Sequence, residues 1–212
     1  MSIADLGHAP KIENTVGQLV YRTLFETDRE RLSAHFLRLD ADDRRSRFFG
    51  QLGDAAILDY VGRIDWRRTT ILGCVLDGQV RGVVELVVST ATVPASAELA
   101  FSVERAFQNR DIGTALLEKA LDLARNRFIG RVTMLCLRDN ARMVQLAQKH
   151  SAQLQVQEGE IQGRIWPLWP TCRSLLEELS ANGQAVLAAL FETGAAERRE
   201  EATSARPMVI PR

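Results

Sequence analysis

The sequence predicts an α/β domain of the α+β kind, a central mixed, mostly antiparallel sheet flanked by helices and followed by an extra C-terminal helix. Three observations carry this expectation. A strand-like run at residues 18–25 precedes three helical pieces, two β-branched runs meet at Asp77-Gly78, and from residue 97 onward strand and helix alternate. At 212 residues the chain is long enough to bury a core without disulfides or a structural metal.

The elements follow in order. Residues 18–25 mix β-branched, aromatic and polar positions as a half-buried first strand does. Thr27 and Glu30 have capping-box spacing, and Leu32, Phe36 and Leu39 then share one helix face. Asp40 can cap a second helix through Phe48, and Asp54 a third with Ile57, Val61 and Ile64 on one side. Residues 70–76 and 80–88 read as antiparallel strands joined by the Asp77-Gly78 turn. Residues 97–103 form the next strand, and a polar loop from Glu104 to Arg110 leads into a helix carrying Ile112, Leu116, Ala120 and Leu123, ended by Gly130. A strand over 131–137, a short helix over 140–150 and a hairpin of 153–157 with 160–167 around Glu158-Gly159 complete the domain. Leu175, Leu179, Val186 and Leu190 suggest a last helix that packs on the core or on a second subunit, which would make a homodimer. The expected divisions are a leader over 1–17, the domain over 18–167, the C-terminal helix over 168–193 and a disordered tail over 194–212.

Composition narrows the function. Lys plus Arg and Asp plus Glu balance at 27 each, which removes the long-range field expected of a nucleic-acid binder. The uncharged run 86–97 falls well short of the roughly 18–20 residues needed to cross a bilayer, so no membrane span is expected. The first residues offer neither a basic nor an apolar signal region, and the cytoplasm is the expected compartment. Cys74, Cys136 and Cys172 have neither disulfide nor zinc-ligand spacing, so they read as reduced thiols and no metal is expected. Walker, Gly-x-Gly-x-x-Gly, His-Glu-x-x-His and Gly-x-Ser-x-Gly motifs are absent.

The chemistry concentrates in residues 98–117. A strand containing Glu98 runs into Gln108-Asn109-Arg110-Asp111-Ile112-Gly113-Thr114-Ala115, which opens an amphipathic helix. Such a loop aims consecutive backbone N–H groups and the positive end of a helix dipole at one point, a geometry that holds an anion such as a pyrophosphate. Arg110 would add a cation, and Gly113 lets the backbone come close without a Cβ in the way. The structural alternative is an ordinary helix start on which Asp111 complements the dipole.

Around this loop the chain resembles the GNAT superfamily of acyl-CoA-dependent N-acetyltransferases, bacterial type, over roughly residues 18–167. The family's pyrophosphate loop reads Gln/Arg-x-x-Gly-x-Gly/Ala. With Val103 placed ahead of the loop, Gln108 and Gly113 match and Asp111 stands where the family has its first glycine. The shifted frame Arg110-x-x-Gly113-x-Ala115 fits every letter, but the strand spacing favours the first. Asn140-x-x-Met143-x-x-Leu146-Ala147 is similar to the family's second cofactor segment, and residues 36–49 resemble bacterial GNAT domains related to protein-lysine acetyltransferases.

The resemblance implies acetyl-CoA as cosubstrate, held by Phe101, Val103, residues Gln108 through Ala115, Asn140 and Met143. It implies a thioester lying where the Glu98 and Cys136 strands splay, beside a β-bulge, and an amine acceptor, either a small molecule or a protein lysine. An amine of pKa ~10.4 is neutral in only about one molecule in 2,500 at pH 7, so a base is needed. Glu98 lies where many family members keep a catalytic carboxylate, although alternation along a strand also allows it simply to face water. The Asp111 carboxylate can weaken cofactor binding, turn outward or pair with Arg110. The tyrosine that many relatives use to protonate the leaving thiolate is replaced by Ala147, and the chain's tyrosines are Tyr21 and Tyr60. These two departures leave a non-catalytic CoA-binding regulator as the alternative function. Segments 40–66 and 160–170 would flank the acceptor, where Trp66, Trp166 and Trp169 either line a cleft or fill gaps. Arg44, Arg45 and Arg47 read as a solvated helix face or a steering patch.

Overall fold

The computed structural model describes residues 18–157, 159–180 and 183. The expected leader, the tail and the distal part of the C-terminal helix lie outside the described residues, and residues 172–180 are helical. Strand β1 (Val20–Leu24) is followed by a 3₁₀ turn, Glu26–Asp28, and helix α1 (Arg29–Arg38). The spacing of Thr27 and Glu30 predicts a cap at Thr27, whereas the structure uses Asp28. Its buried carboxylate accepts the Phe25 N–H at 3.1 Å, a bidentate pair from Arg22 at 2.8 Å and a bond from Arg31 at 2.9 Å. Helix α2 (Ala41–Phe48) starts as expected, with Asp40 accepting the Asp43 N–H at 2.9 Å. Helix α3 (Asp54–Gly62) is capped by Gly53, because Asp54 is taken by Arg44 at 2.7 Å. Arg44 also donates to the carbonyls of Leu37 and Leu39, so it staples α1 to α2 instead of lying on a solvated face.

Strands β2 (Thr69–Leu76) and β3 (Gln79–Ser89) meet at Asp77 and Gly78, whose φ angles of 51° and 73° give the primed turn that suits strand twist. Then come β4 (Ser96–Val103), α4 (Ile112–Asn126), β5 (Arg131–Leu137), α5 (Ala141–Lys149), β6 (Gln153–Gln157) and β7 (Glu160–Ile165). Phe128, with φ 56°, ends α4, whereas Gly130 is required by close approach, since a Cβ there would lie 2.2 Å from Pro94. The sheet order is β1-β2-β3-β4-β5-β7-β6, antiparallel throughout except for β4 with β5.

Helices α1–α3 cover one face over a core of Leu32, Phe36, Ile57, Val61, Ile71 and Val83; α4 and α5 cover the other over Leu86, Leu99, Leu116, Leu117, Val132 and Met134. Each such side chain contributes about 1.5–3 kcal/mol by leaving water. Helical residues 172–180 pack on the end of α4, where buried Asn126 donates to the Ser174 carbonyl at 2.9 Å and accepts the Ser174 hydroxyl at 2.6 Å. Trp166 and Trp169 are exposed. No helix among the described residues is long and apolar enough to cross a membrane.

Asp28 yields a stability prediction. Burial alone would raise its pKa, but the hydrogen bonds from Arg22 and the Phe25 N–H outweigh this and hold it at about 2. A depressed carboxyl stabilises the fold above its unfolded pKa, and that contribution fades as pH falls from about 4 toward 2. Asp28→Asn should cost about 3–5 kcal/mol at pH 7 by removing the anion from a buried ion pair. It should also flatten the acid limb, both read from urea unfolding at pH 7 and pH 3.

Candidate active site

The site begins where two strands part. β4 and β5 pair in parallel only from Ser96 with Arg131 to Leu99 with Met134. Beyond that, β4 continues to Val103 along β3, while β5 turns with β7 as far as Leu137. Among the described residues, 100–103 therefore have no strand partner on their β5 side, and backbone polar groups facing the gap are open to a ligand. The pairing of β4 with β3 keeps one register from Val103 to Ser96, so the bulge expected beside the thioester is absent; the register shift lies in β2 at Cys74/Val75. The gap comes from strand divergence alone.

Two cavities meet in this gap. The first, about 360 Å³, is lined by Phe101, Val103, residues 107–109 and 111–114, Asn140 and Met143, and by Asp43, Arg142 and Lys149. The second, about 420 Å³, lies on the α1–α3 face and is lined by Glu85, Val87, Glu98, Tyr60, Phe49 and Leu135 among others. Ser46, Phe101, Asn140 and Met143 border both.

The loop is built to present donors. Asn109 and Asp111 have φ angles of 58° and 56°, the left-handed region that asparagine and aspartate enter more readily than other side-chain-bearing residues. Asp111 thus takes, in the first motif frame, the conformation a glycine would hold. Its side chain makes no capping bond, and the first intrahelical acceptor, the Asp111 carbonyl, is used by the Ala115 N–H at 2.9 Å. The N–H groups of Ile112, Gly113 and Thr114 consequently have no partner within the helix. Gly82 lets this end settle on β3, since a Cβ there would lie 3.2 Å from both Ile112 and Val103. Gln108 ties the loop down through bonds from Nε2 to the Val103 carbonyl at 2.8 Å and to Asp43 at 3.1 Å.

A buried network holds the strand end that feeds the loop. Glu104 accepts from Arg38 at 2.8 Å and Arg81 at 3.0 Å and contacts His35 Nδ1 at 3.3 Å, while His35 Nε2 and the Ser102 hydroxyl lie 2.8 Å apart. Burial pushes the His35 pKa below the usual histidine range, so the ring is neutral near pH 7. In the sequence Glu104 reads as part of a polar loop; its burial is legible only in three dimensions.

Some expected residues stand elsewhere. Arg110 and Ala115 do not line the cavity, and the Arg110 guanidinium lies 5.4 Å from the Phe107 ring centre instead of pairing with Asp111. The cations of the site come from the opposite wall: Lys149, and Arg142, which reaches across to donate to the Gln108 side-chain oxygen. Asn140 borders both cavities and caps α5 by accepting the Met143 N–H at 3.2 Å. Glu98 lines the second cavity and has no side-chain hydrogen bond or ion pair among the described residues. Residues 46–60 flank that cavity as expected, whereas none of 160–170 does, and no tryptophan lines it.

Arg47, Glu85 and Tyr60 form the floor. Arg47 Nη2 donates to Glu85 at 2.5 Å and to the Tyr60 oxygen at 2.9 Å, and the Tyr60 hydroxyl donates to Glu85 at 2.6 Å. Burial pushes the Tyr60 hydroxyl up to about 12, so it stays protonated and its proton is committed to Glu85. Cys136 is buried, its thiol pushed up by burial and directed at the Ile161 carbonyl at 3.6 Å, the setting of a packing residue and not a nucleophile. No group of acidic, cysteine or histidine side chains among the described residues could hold a metal ion.

The family model for the acetyltransferase (GNAT) family matches residues 18–151. The chain belongs to the GNAT acetyltransferase family. Among solved structures, the GNAT domain of S. lividans PAT matches with 22% identity and TM-score 0.60 over 74% of this chain and 99% of that one. The ribosomal-protein-S18-alanine N-acetyltransferase of Escherichia coli matches with 14% identity and TM-score 0.55, over 73% and 97%. The yncA protein of Salmonella typhimurium, solved with its cofactor acetyl-CoA, matches with 13% identity and TM-score 0.56, over 73% and 97%. At these identities the likeness is one of fold. No curated protein matches the chain.

Within this GNAT fold, Asp111 tests whether its backbone angle or its side chain matters to stability. Asp111→Gly should leave unfolding free energy unchanged or slightly raised, while Asp111→Ala should lose about 1 kcal/mol to the left-handed backbone, measured by urea denaturation.

Proposed function

We propose that the protein transfers an acetyl group from acetyl-CoA to an amine by direct attack. The observation that carries this is the meeting of the two cavities in the β4–β5 gap, one ending on the α4 N-terminus, the other holding an unpartnered Glu98. In this reading the diphosphate sits on the N–H groups at Ile112–Thr114, and the thioester reaches the junction at Phe101 and Asn140. Backbone N–H groups of β4 that face the gap would stabilise the developing oxyanion.

The amine approaches through the second cavity. Glu98 takes the ammonium proton, the nitrogen bonds to the carbonyl carbon, and the C–S bond breaks to leave a CoA thiolate; the nitrogen's second proton passes to solvent, and the thiolate is protonated from solvent. A thiol pKa near ~8.5 makes that departure feasible without the tyrosine whose place Ala147 occupies. Ala147 is buried against the sheet and offers no acid. Asp111 places a carboxylate on the lining of the first cavity and lowers affinity for the diphosphate without closing the site.

Asp111 and Ala147 together also favour a second reading, a CoA-responsive regulator with little turnover. Calorimetry with acetyl-CoA and a thiol-release assay over an amine panel separate the two. Binding with turnover is expected; binding without turnover would support the regulator, and no heat would sink both. Glu98→Gln should lower kcat/KM by about 10²–10⁴ and distort its pH profile, while acetyl-CoA affinity stays within twofold. An unchanged pH profile would remove Glu98 from the mechanism. Asp111→Gly should tighten acetyl-CoA binding.

A further inference from the structure

The charge inventory of the second cavity restricts its amine, an inference that rests on the transfer reading above. Arg47 is the cation lining the cavity among the described residues, and it is already engaged. Its side chain and that of Glu85 are 7% and 1% exposed, bonded at 2.5 Å. Phe36, Phe48 and Tyr60 enclose the guanidinium, with ring centres 5.5, 4.7 and 5.4 Å from it. An incoming carboxylate would have to displace Glu85 from a dry ion pair, stranding a buried charge. The shallow groove that continues past Tyr60 along β3 carries one more cation, Arg63, which is exposed and paired with Asp59.

What remains is a net negative cavity. Glu98 is unpartnered, directly across from Val87, and Phe49, Leu52, Val87, Phe101 and Leu135 supply an apolar and aromatic wall. An ammonium on an uncharged stem is attracted to Glu98 and sheds water from its stem onto that wall. A carboxylate on the same carbon as the amine would be held beside Glu98 with no counter-ion.

We propose that the acceptor is a primary amine on an uncharged alkyl or arylalkyl stem, and that free α-amino acids, whose carboxylate adjoins the reacting nitrogen, are rejected. A small amine and the ε-amine of a peptide lysine share this chemistry.

Matched pairs test it: tyramine against tyrosine, tryptamine against tryptophan and histamine against histidine, each by thiol release with acetyl-CoA. In each pair kcat/KM for the decarboxylated amine should be at least tenfold higher, and tyrosinamide, which keeps bulk but not charge, should behave like tyramine. Nα-acetyl-lysine amide assayed beside tyramine distinguishes the peptide source from the small-molecule one. Leu135→Arg, a change at a partly exposed position that places an unpaired cation on the wall, should narrow the tyramine-to-tyrosine ratio at least tenfold. Tyrosine used as well as tyramine overturns the assignment and leaves acetyl transfer standing. If acetyl-CoA binds but no amine releases thiol, the transfer reading falls, and the charge rule is read from calorimetry of tyramine and tyrosine into CoA-saturated protein. Preferential tyramine binding then upholds it; equal binding, or none, overturns it.

Discussion

The parting of β4 from β5 after Leu99 and Met134 is the constraint on which the rest depends. A parallel pair is normally buried and fully bonded on both sides. Here each strand keeps its outer neighbour, β3 for one and β7 for the other, and gives up the inner one. The helices that follow the two strands, α4 and α5, both begin at this opening. Their N-termini face the same space, so unpaired strand backbone, helix donors and the cations Arg142 and Lys149 converge there.

Holding such a gap open requires support from outside it. Glu104, fixed by Arg38, Arg81 and His35, anchors the end of β4 to α1, and Gln108 anchors the loop to Val103 and to Asp43 of α2. Under the other cavity, the Arg47–Glu85 pair ties α2 to β3. Buried ion pairs add little net stability, because desolvation offsets attraction, but they do fix geometry. The same polar groups that hold the walls also leave Glu98 as the unpaired charge of the second cavity among the described residues, which is what gives that cavity a sign.

Patterns with a local cause were legible in the sequence. Asp77-Gly78 marked its turn, Asp40 its cap, and the stripe from Ile112 to Leu123 its helix, because each depends on near neighbours in the chain. Gln108, Gly113 and Asn140 stand out by motif spacing and Glu98 by the family resemblance, and all four line the joined cavities. Features made by distant residues were not legible. Arg44 and Arg47 read as a charged surface because nothing local announces Leu37, Glu85 or Tyr60 as partners. Arg110 reads as a cation of the loop from its place in the motif, whereas the cations that line the cavity, Arg142 and Lys149, come from a helix about thirty residues further on. The first cap falls at Asp28, whose carboxylate Arg22 binds, one residue past Thr27; the third falls at Gly53, one residue before Asp54, which Arg44 binds; and Gly130 answers to Pro94 instead of to its own helix.

Amide hydrogen exchange with and without acetyl-CoA addresses the central claim most directly, because it reads the backbone donors themselves. Occupancy of the gap predicts strong added protection at Ile112, Gly113 and Thr114 and along residues 100–103, with β1, β2 and α3 unchanged. Binding that protects other segments while leaving those amides exchanging at their free rates would contradict the account.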